Sequence, residues 1–84
     1  MGYKHSQPGP VGFRLAHQIS SLRVANGWSQ EDLANMMAEY GRPLTTQTLG
    51  RIERRMRKID VDDLHALACA FQMSATALLR RVTL

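Results

Sequence analysis

The chain has 84 residues, a length that allows one domain with a single modest hydrophobic core. Hydrophobic residues make up 44% and charged residues 21%, which fits a folded globular domain and excludes a collagen-like or disordered chain. The net charge of +4 favours an acidic partner such as nucleic acid. No apolar stretch approaches the roughly 18 residues of a membrane span. With one cysteine, Cys69, the sequence predicts a soluble, cytoplasmic protein without an internal disulfide.

Residues 1–10 contain two prolines and two glycines and show no apolar periodicity, so we predict a flexible N-terminal arm there and a folded domain over residues 11–84. Leu15, Ile19 and Leu22 then recur at helical spacing and predict a first helix that ends at Gly27.

The second predicted helix begins with a capping box, in which the Ser29 hydroxyl accepts from the third helical amide while Glu31 and Asp32 favour the positive helix start. It ends near Gly41, because Pro43 disfavours helical geometry in the residue before it. Its apolar positions predict four buried residues: Leu33, Ala34, Met37 and Tyr40.

The third predicted helix starts after Thr45 as N-cap and runs from Thr46 to about Arg54. Leu49 and Ile52 are expected to be buried. The opposite, outward face is predicted to carry Thr46, Gln47, Gly50 and Arg51.

Two further helices complete an all-α domain. Asp60 with Asp63 caps the fourth, and Ser74 caps the fifth. Their apolar stripes are Leu64, Leu67, Ala68 and Phe71 in the fourth helix, and Leu78, Leu79 and Val82 in the fifth.

Basic residues cluster just where the third helix ends. Five of the 11 Lys and Arg residues lie within residues 51–58: Arg51, Arg54, Arg55, Arg57 and Lys58. Such a cluster is typical of a phosphate-binding surface, although a solvated charged turn has the same composition.

Three segments occurring in order make the chain similar to a known family. Residues 19–23 read Ile-Ser-Ser-Leu-Arg, residues 27–34 read Gly-Trp-Ser-Gln-Glu-Asp-Leu-Ala, and residues 49–53 read Leu-Gly-Arg-Ile-Glu. With the apolar spacing of the fourth helix, they resemble the helix-turn-helix domains of lambda-type repressor and Cro (XRE-like) proteins over roughly residues 13–80. The resemblance implies a compact five-helix, lambda-repressor-like domain in which helices 2 and 3 form the helix-turn-helix. It also implies a sequence-specific, double-stranded DNA-binding transcriptional regulator of the Cro/C1 type.

In this family the third helix enters the major groove. The residue chemistry agrees, because the Gln47 amide suits a bidentate contact with adenine and Arg51 suits guanine, while Thr46 can contact a thymine methyl group or a phosphate. These three are the predicted base contacts.

The resemblance further implies that Gln30 contacts a phosphate, and that Arg23 pairs with Glu53 to join helix 1 to helix 3 while also facing a phosphate. The full set of predicted phosphate contacts is Arg23, Ser29, Gln30, Arg42, Thr45, Thr48, Arg54, Arg55, Arg57 and Lys58.

The sequence departs from the family in two places. The segment from Ala34 to Thr45 is longer than the family's compact turn, which leaves the angle between helices 2 and 3 open. Arg54 and Arg55 stand where the family usually has glycine, and because a left-handed non-glycine residue costs about 1 kcal/mol, we expect helix 3 to extend or to close with a different cap.

A protein-interaction module, such as an antitoxin or a phage accessory factor, is the alternative function. The apolar C-terminal residues Leu78, Leu79, Val82 and Leu84 would serve such a partner, or equally the seam of a homodimer on a palindromic operator. Tyr3, Lys4 and His5 would suit an arm that reaches DNA, or no function at all. No cofactor, metal site or catalysis is expected, because the three histidines are far apart in sequence and no nucleophile has a recognisable context.

Overall fold

The computed structural model describes residues 7–83, and it consists of five α-helices in that part of the chain. They are α1 (Pro10–Ala25), α2 (Gln30–Glu39), α3 (Thr46–Glu53), α4 (Val61–Ala70) and α5 (Ala75–Thr83). The predicted all-α, five-helix fold is confirmed. Residues 1–6 of the predicted arm, with Tyr3, Lys4 and His5, and Leu84 of the predicted seam lie outside the described residues. None of the described helices is long and apolar enough to cross a membrane.

The first helix begins at Pro10, one residue before the predicted domain boundary at Val11. Proline suits this position because its fixed φ is helical and its missing amide would have had no helical partner. The buried Pro8 packs against Gly12, where a Cβ atom would come within 2.9 Å of the Pro8 Cβ. A glycine at position 12 therefore allows the chain before α1 to fold back onto the helix.

Each predicted N-cap of the later helices is confirmed. Ser29 with Asp32 and Asp60 with Asp63 form complete capping boxes at α2 and α4. Thr45 accepts a hydrogen bond from the Thr48 amide at 3.0 Å. At α5 the Ser74 hydroxyl accepts from the Ala77 amide.

The first four helices all end in the same way, in a Schellman motif closed by a left-handed residue. Gly27 and Gly41 take this role after α1 and α2, with φ of 73° and 85°. Arg55 and Gln72 take it after α3 and α4, with φ of 64° and 56°. The expectation that α3 avoids a left-handed arginine is therefore wrong. Closing the helix this way satisfies the Arg51 carbonyl, which accepts from the Met56 amide at 2.8 Å.

The core is one cluster of buried residues from α1, α2, α4 and α5 together with Leu49 of α3, a helix that packs on α1 and α2. Trp28 stacks on Phe71 with 5.5 Å between ring centroids, so it packs against the core. Tyr40, which the sequence predicts to be buried, does not pack in the core, because it follows the last turn of α2 and is 48% exposed. Leu78 and Val82 are buried in the monomer's own core, so the prediction that these two residues form a partner surface or seam is wrong. Leu79 is half-buried against the same core.

Candidate nucleic-acid interface

The exposed face of α3 carries the three predicted base contacts. Thr46, Gln47 and Arg51 are all exposed, and none of them forms a side-chain hydrogen bond or ion pair with any residue between 7 and 83. They line one shallow groove together with Gln30, Thr48, Gly50 and Arg54. The donors and acceptors on this face are therefore free to bind an external molecule.

An ion pair fixes the end of α3 against α1. Arg23 Nε lies 2.7 Å from Glu53 Oε2, and Arg23 Nη2 lies 2.9 Å from Glu53 Oε1. The Glu53 carboxylate raises the pKa of Arg23, mainly through these hydrogen bonds. The third guanidinium nitrogen, Nη1, donates to the Trp28 carbonyl at 2.8 Å. Because each nitrogen already has an intramolecular acceptor, the first function of Arg23 is to position α3.

The same carboxylate positions the predicted phosphate contact on α2. Gln30 Nε2 donates to Glu53 Oε1 at 3.2 Å, which leaves the half-buried Gln30 amide beside α3. A Cβ atom at position 50 would lie 3.4 Å from Gln30 Oε1 and 3.2 Å from Arg54 Nη1. The sequence predicts Gly50 on the outward face, but it is buried beneath these two side chains. Its absent side chain is what allows the close approach of Arg54.

The longer connector between α2 and α3 is held by charged side chains. Arg42 Nε donates to Asp63 Oδ1 at 2.8 Å, and Arg42 Nη2 donates to Asp60 Oδ2 at 2.7 Å. Arg57 Nη1 lies 2.8 Å from the other Asp63 oxygen. Asp63 thus joins the segments before and after α3 to the start of α4.

Burial raises the pKa of Asp63, but hydrogen bonds from Arg42, Arg57 and the Asp60 amide outweigh it and bring the pKa below its ordinary value. The Asp63 side chain is fully buried, yet every one of its hydrogen-bonding oxygens has a partner. From the sequence, Asp63 is expected only to cap α4. Its spacing of 21 residues from Arg42 carries no local signal for the contact.

The basic residues among the predicted phosphate contacts therefore fall into three groups. Arg23, Arg42 and Arg57 form ion pairs within the domain. Arg54 and Lys58 are exposed, and Arg54 lies in the α3 groove. Arg55 points to a different surface, where its guanidinium lies over the Phe13 ring.

The remaining predicted phosphate contacts are helix-capping residues of α2 and α3. The exposed hydroxyls of Ser29 and Thr45 each accept a hydrogen bond of 3.0 Å from a backbone amide in the first turn of the helix. Thr45 also donates to the Thr48 hydroxyl at 2.9 Å. These residues stand at the positively polarised starts of α2 and α3, which face the same side as the groove residues Gln30 and Thr46.

Comparisons with known proteins agree with this geometry. A helix-turn-helix family model matches residues 19–78, which is more than half of the chain. The restriction-modification controller protein C.AhdI from Aeromonas hydrophila has a similar structure, with a TM-score of 0.68 and 27% identity over 80% of this chain and 94% of that chain. A hypothetical transcription factor, NHTF from Neisseria, is similar with a TM-score of 0.69 and 26% identity over 93% of this chain and 86% of that chain. No curated protein gives a significant match. The chain belongs to the XRE-like helix-turn-helix family.

Proposed function

We propose that this protein is a sequence-specific regulator of transcription that binds double-stranded DNA and reads the major groove with α3. The observation that carries the proposal is the exposed, unpartnered face of Thr46, Gln47 and Arg51 on a helix whose ends are both fixed. Rigidly placed side chains with free hydrogen-bonding groups suit base recognition, because little conformational freedom is lost on binding.

Each of the three residues has a chemistry that matches a base edge. The Gln47 amide can donate to and accept from adenine, and the Arg51 guanidinium can donate twice to guanine. Thr46, in the first turn of α3, offers a methyl group to thymine and a hydroxyl to a phosphate. We expect these contacts to specify the operator.

Phosphates are expected to fix the register of the domain. Gln30 is the best-supported phosphate contact, since Glu53 already orients its amide beside α3. Ser29, Thr45 and Thr48 add hydroxyls and helix-start amides, and the exposed Arg54 and Lys58 add charge. Arg42 and Arg57 are expected to contribute mainly through the field of their charges, because Asp63 holds them.

The assembly that we propose on DNA is a homodimer on a palindromic operator. A single short recognition helix reads few base pairs, and two copies spaced about 34 Å apart would double the site. A small domain of this kind acts most simply as a bacterial or phage repressor that occludes a promoter. The neighbouring structures, a restriction-modification controller protein and a hypothetical transcription factor, support a regulatory role.

The alternative function as a protein-interaction module has lost its main sequence support, because Leu78 and Val82 are buried. Selection from a random pool of duplexes separates the two functions. We expect wild-type protein to enrich a palindrome with half-sites about 10 base pairs apart and to lose affinity steeply with salt.

Variants assign the contacts. Gln47→Ala and Arg51→Ala are each expected to relax the preference at one position and to weaken binding by about 1–3 kcal/mol. Arg80→Ala, which removes an exposed arginine of α5, is the matched control and should retain the wild-type operator. Weak, sequence-blind binding by the wild type at every salt concentration would contradict the proposal.

A further inference from the structure

A second basic surface lies away from the α3 groove. It is a cleft of about 630 Å³ between the first half of α1 and the end of α5, which we name the α1/α5 cleft. No residue that lines it also lines the α3 groove. The side chains that matter for its chemistry are Phe13, Arg14, His17, Arg55, Arg81 and Thr83.

Two of its arginines are held in place. Arg14 Nε donates to the Val82 carbonyl at 3.0 Å, which leaves its two terminal nitrogens without an acceptor among the described residues. Arg55 is in the left-handed conformation that ends α3, and its guanidinium lies 4.5 Å from the centre of the Phe13 ring. The aromatic face thus fixes the guanidinium plane and still leaves its N–H groups available.

The charge of the cleft is not balanced. Its lining contains three arginines and a histidine but no acidic residue. All four ion pairs within residues 7–83 involve other arginines, namely Arg23, Arg42 and Arg57. Like charges around a shared space repel one another, so an anion that enters it is favoured.

We propose that the α1/α5 cleft binds a phosphate group. Guanidinium groups pair with phosphate through parallel N–H···O bonds, and an anion with several oxygens can use more than one arginine at once. The Thr83 hydroxyl is also at the cleft, although it donates to the Leu79 carbonyl at 2.8 Å. The phosphate belongs either to a small phosphorylated molecule, which a cavity of this size accommodates, or to the DNA backbone. The site itself does not require that α3 reads bases.

The test is an NMR titration of the full chain with inorganic pyrophosphate at constant ionic strength. We expect saturable shifts of the Arg14 and Arg55 Nε–H signals and of the Thr83 amide. Arg81→Ala removes an exposed arginine of the cleft and should weaken this binding at least tenfold, whereas Arg80→Ala, its neighbour outside the cleft, should not. Equal thermal unfolding midpoints of the two variants would show that both are folded.

A second measurement separates the two sources of phosphate. If the DNA backbone occupies the cleft, Arg81→Ala lowers the salt-dependence slope of duplex binding by about 0.9 relative to Arg80→Ala, the value for one lost phosphate contact. If pyrophosphate binds but the slope is unchanged, the ligand is a free phosphorylated molecule. The proposal is overturned if the pyrophosphate shifts are linear or equal in both variants and the slope does not change. That result leaves the α3 proposal standing, because Gln47→Ala and Arg51→Ala test it separately.

Discussion

The carboxylate of Glu53 receives two parallel hydrogen bonds from the guanidinium of Arg23, with lengths of 2.7 and 2.9 Å. It also accepts one from Gln30 at 3.2 Å. A single side chain at the end of α3 therefore joins three helices. Because the carboxylate is almost fully buried, its partners are what make its burial tolerable.

Glu53→Ala is expected to lower the free energy of unfolding by about 3 kcal/mol, because it leaves the mostly buried Arg23 guanidinium without its counter-charge. Urea unfolding monitored by circular dichroism measures this loss. Glu39→Ala, which removes an exposed glutamate at the end of α2, should change the stability by less than about 0.5 kcal/mol. Similar small losses in both variants would show that the Arg23–Glu53 pair does not hold α3.

The ion pairs of Asp63 with Arg42 and Arg57 predict that the folded protein loses stability at acid pH. Since the pKa of Asp63 is lower in the folded chain, its ionised form stabilises the fold above the unfolded pKa of about 3.9. That contribution is lost as the pH falls from about 4 through the folded pKa. The measurement is the free energy of unfolding in urea between pH 6 and pH 2.5, compared with that of Asp63→Asn.

We expect Asp63→Asn to be less stable than the wild type at pH 6 and to show a shallower decline in acid. Asp62→Asn is the matched control, because the neighbouring Asp62 is exposed and forms no ion pair within residues 7–83. If the free energy of unfolding of Asp63→Asn fell as steeply in acid as that of the control, the acid sensitivity would come from other carboxylates.

The left-handed residues predict where glycine would stabilise the protein. Gln72→Gly should raise the free energy of unfolding by about 1 kcal/mol, because it removes the clash between Cβ and carbonyl at φ of 56°. Arg55→Gly should raise it less, since it also removes the contact of the guanidinium with Phe13. Thermal or urea unfolding of both variants tests whether Gln72→Gly gains more stability than Arg55→Gly. A destabilised Gln72→Gly would refute the prediction.

Gly50→Ala is expected to separate stability from DNA binding. Alanine favours the helix by up to about 1 kcal/mol, and the crowded Arg54 guanidinium can move aside. The same shift moves Arg54 within the α3 groove, so we expect DNA affinity to fall several-fold. The measurement is a double-mutant cycle by fluorescence anisotropy: Gly50→Ala should cost little further affinity in an Arg54→Ala background, and additive losses would contradict the role of Gly50.

Local signals predicted most of this fold. The capping boxes at Ser29 and Asp60 and the apolar spacing from Leu15 onward depend on neighbours within one or two turns, so the sequence alone indicates them. The exposed face of α3 followed from the same periodicity. The family resemblance added the contact of Arg23 with Glu53, which lies 30 residues away along the chain.

What the sequence could not predict depended on tertiary contacts. Arg42 was interpreted as a phosphate contact because nothing local indicated its partner Asp63. Arg55 was expected to avoid a left-handed conformation, but the Schellman bonds and the Phe13 ring make that conformation acceptable. Gly50 was assigned to the outward face, because periodicity does not reveal that side chains from α2 and the end of α3 cover it.

The free side chains of Thr46, Gln47 and Arg51 have a consequence for how this protein can evolve. Since they form no hydrogen bond or ion pair within residues 7–83, replacing them should leave folding nearly unaffected. Glu53 and Asp63, which hold α3 and its flanking segments, have no such freedom. Under the proposed function, preference for a new binding sequence arises through a few substitutions on α3, without the compensating mutations that a change in the core would require.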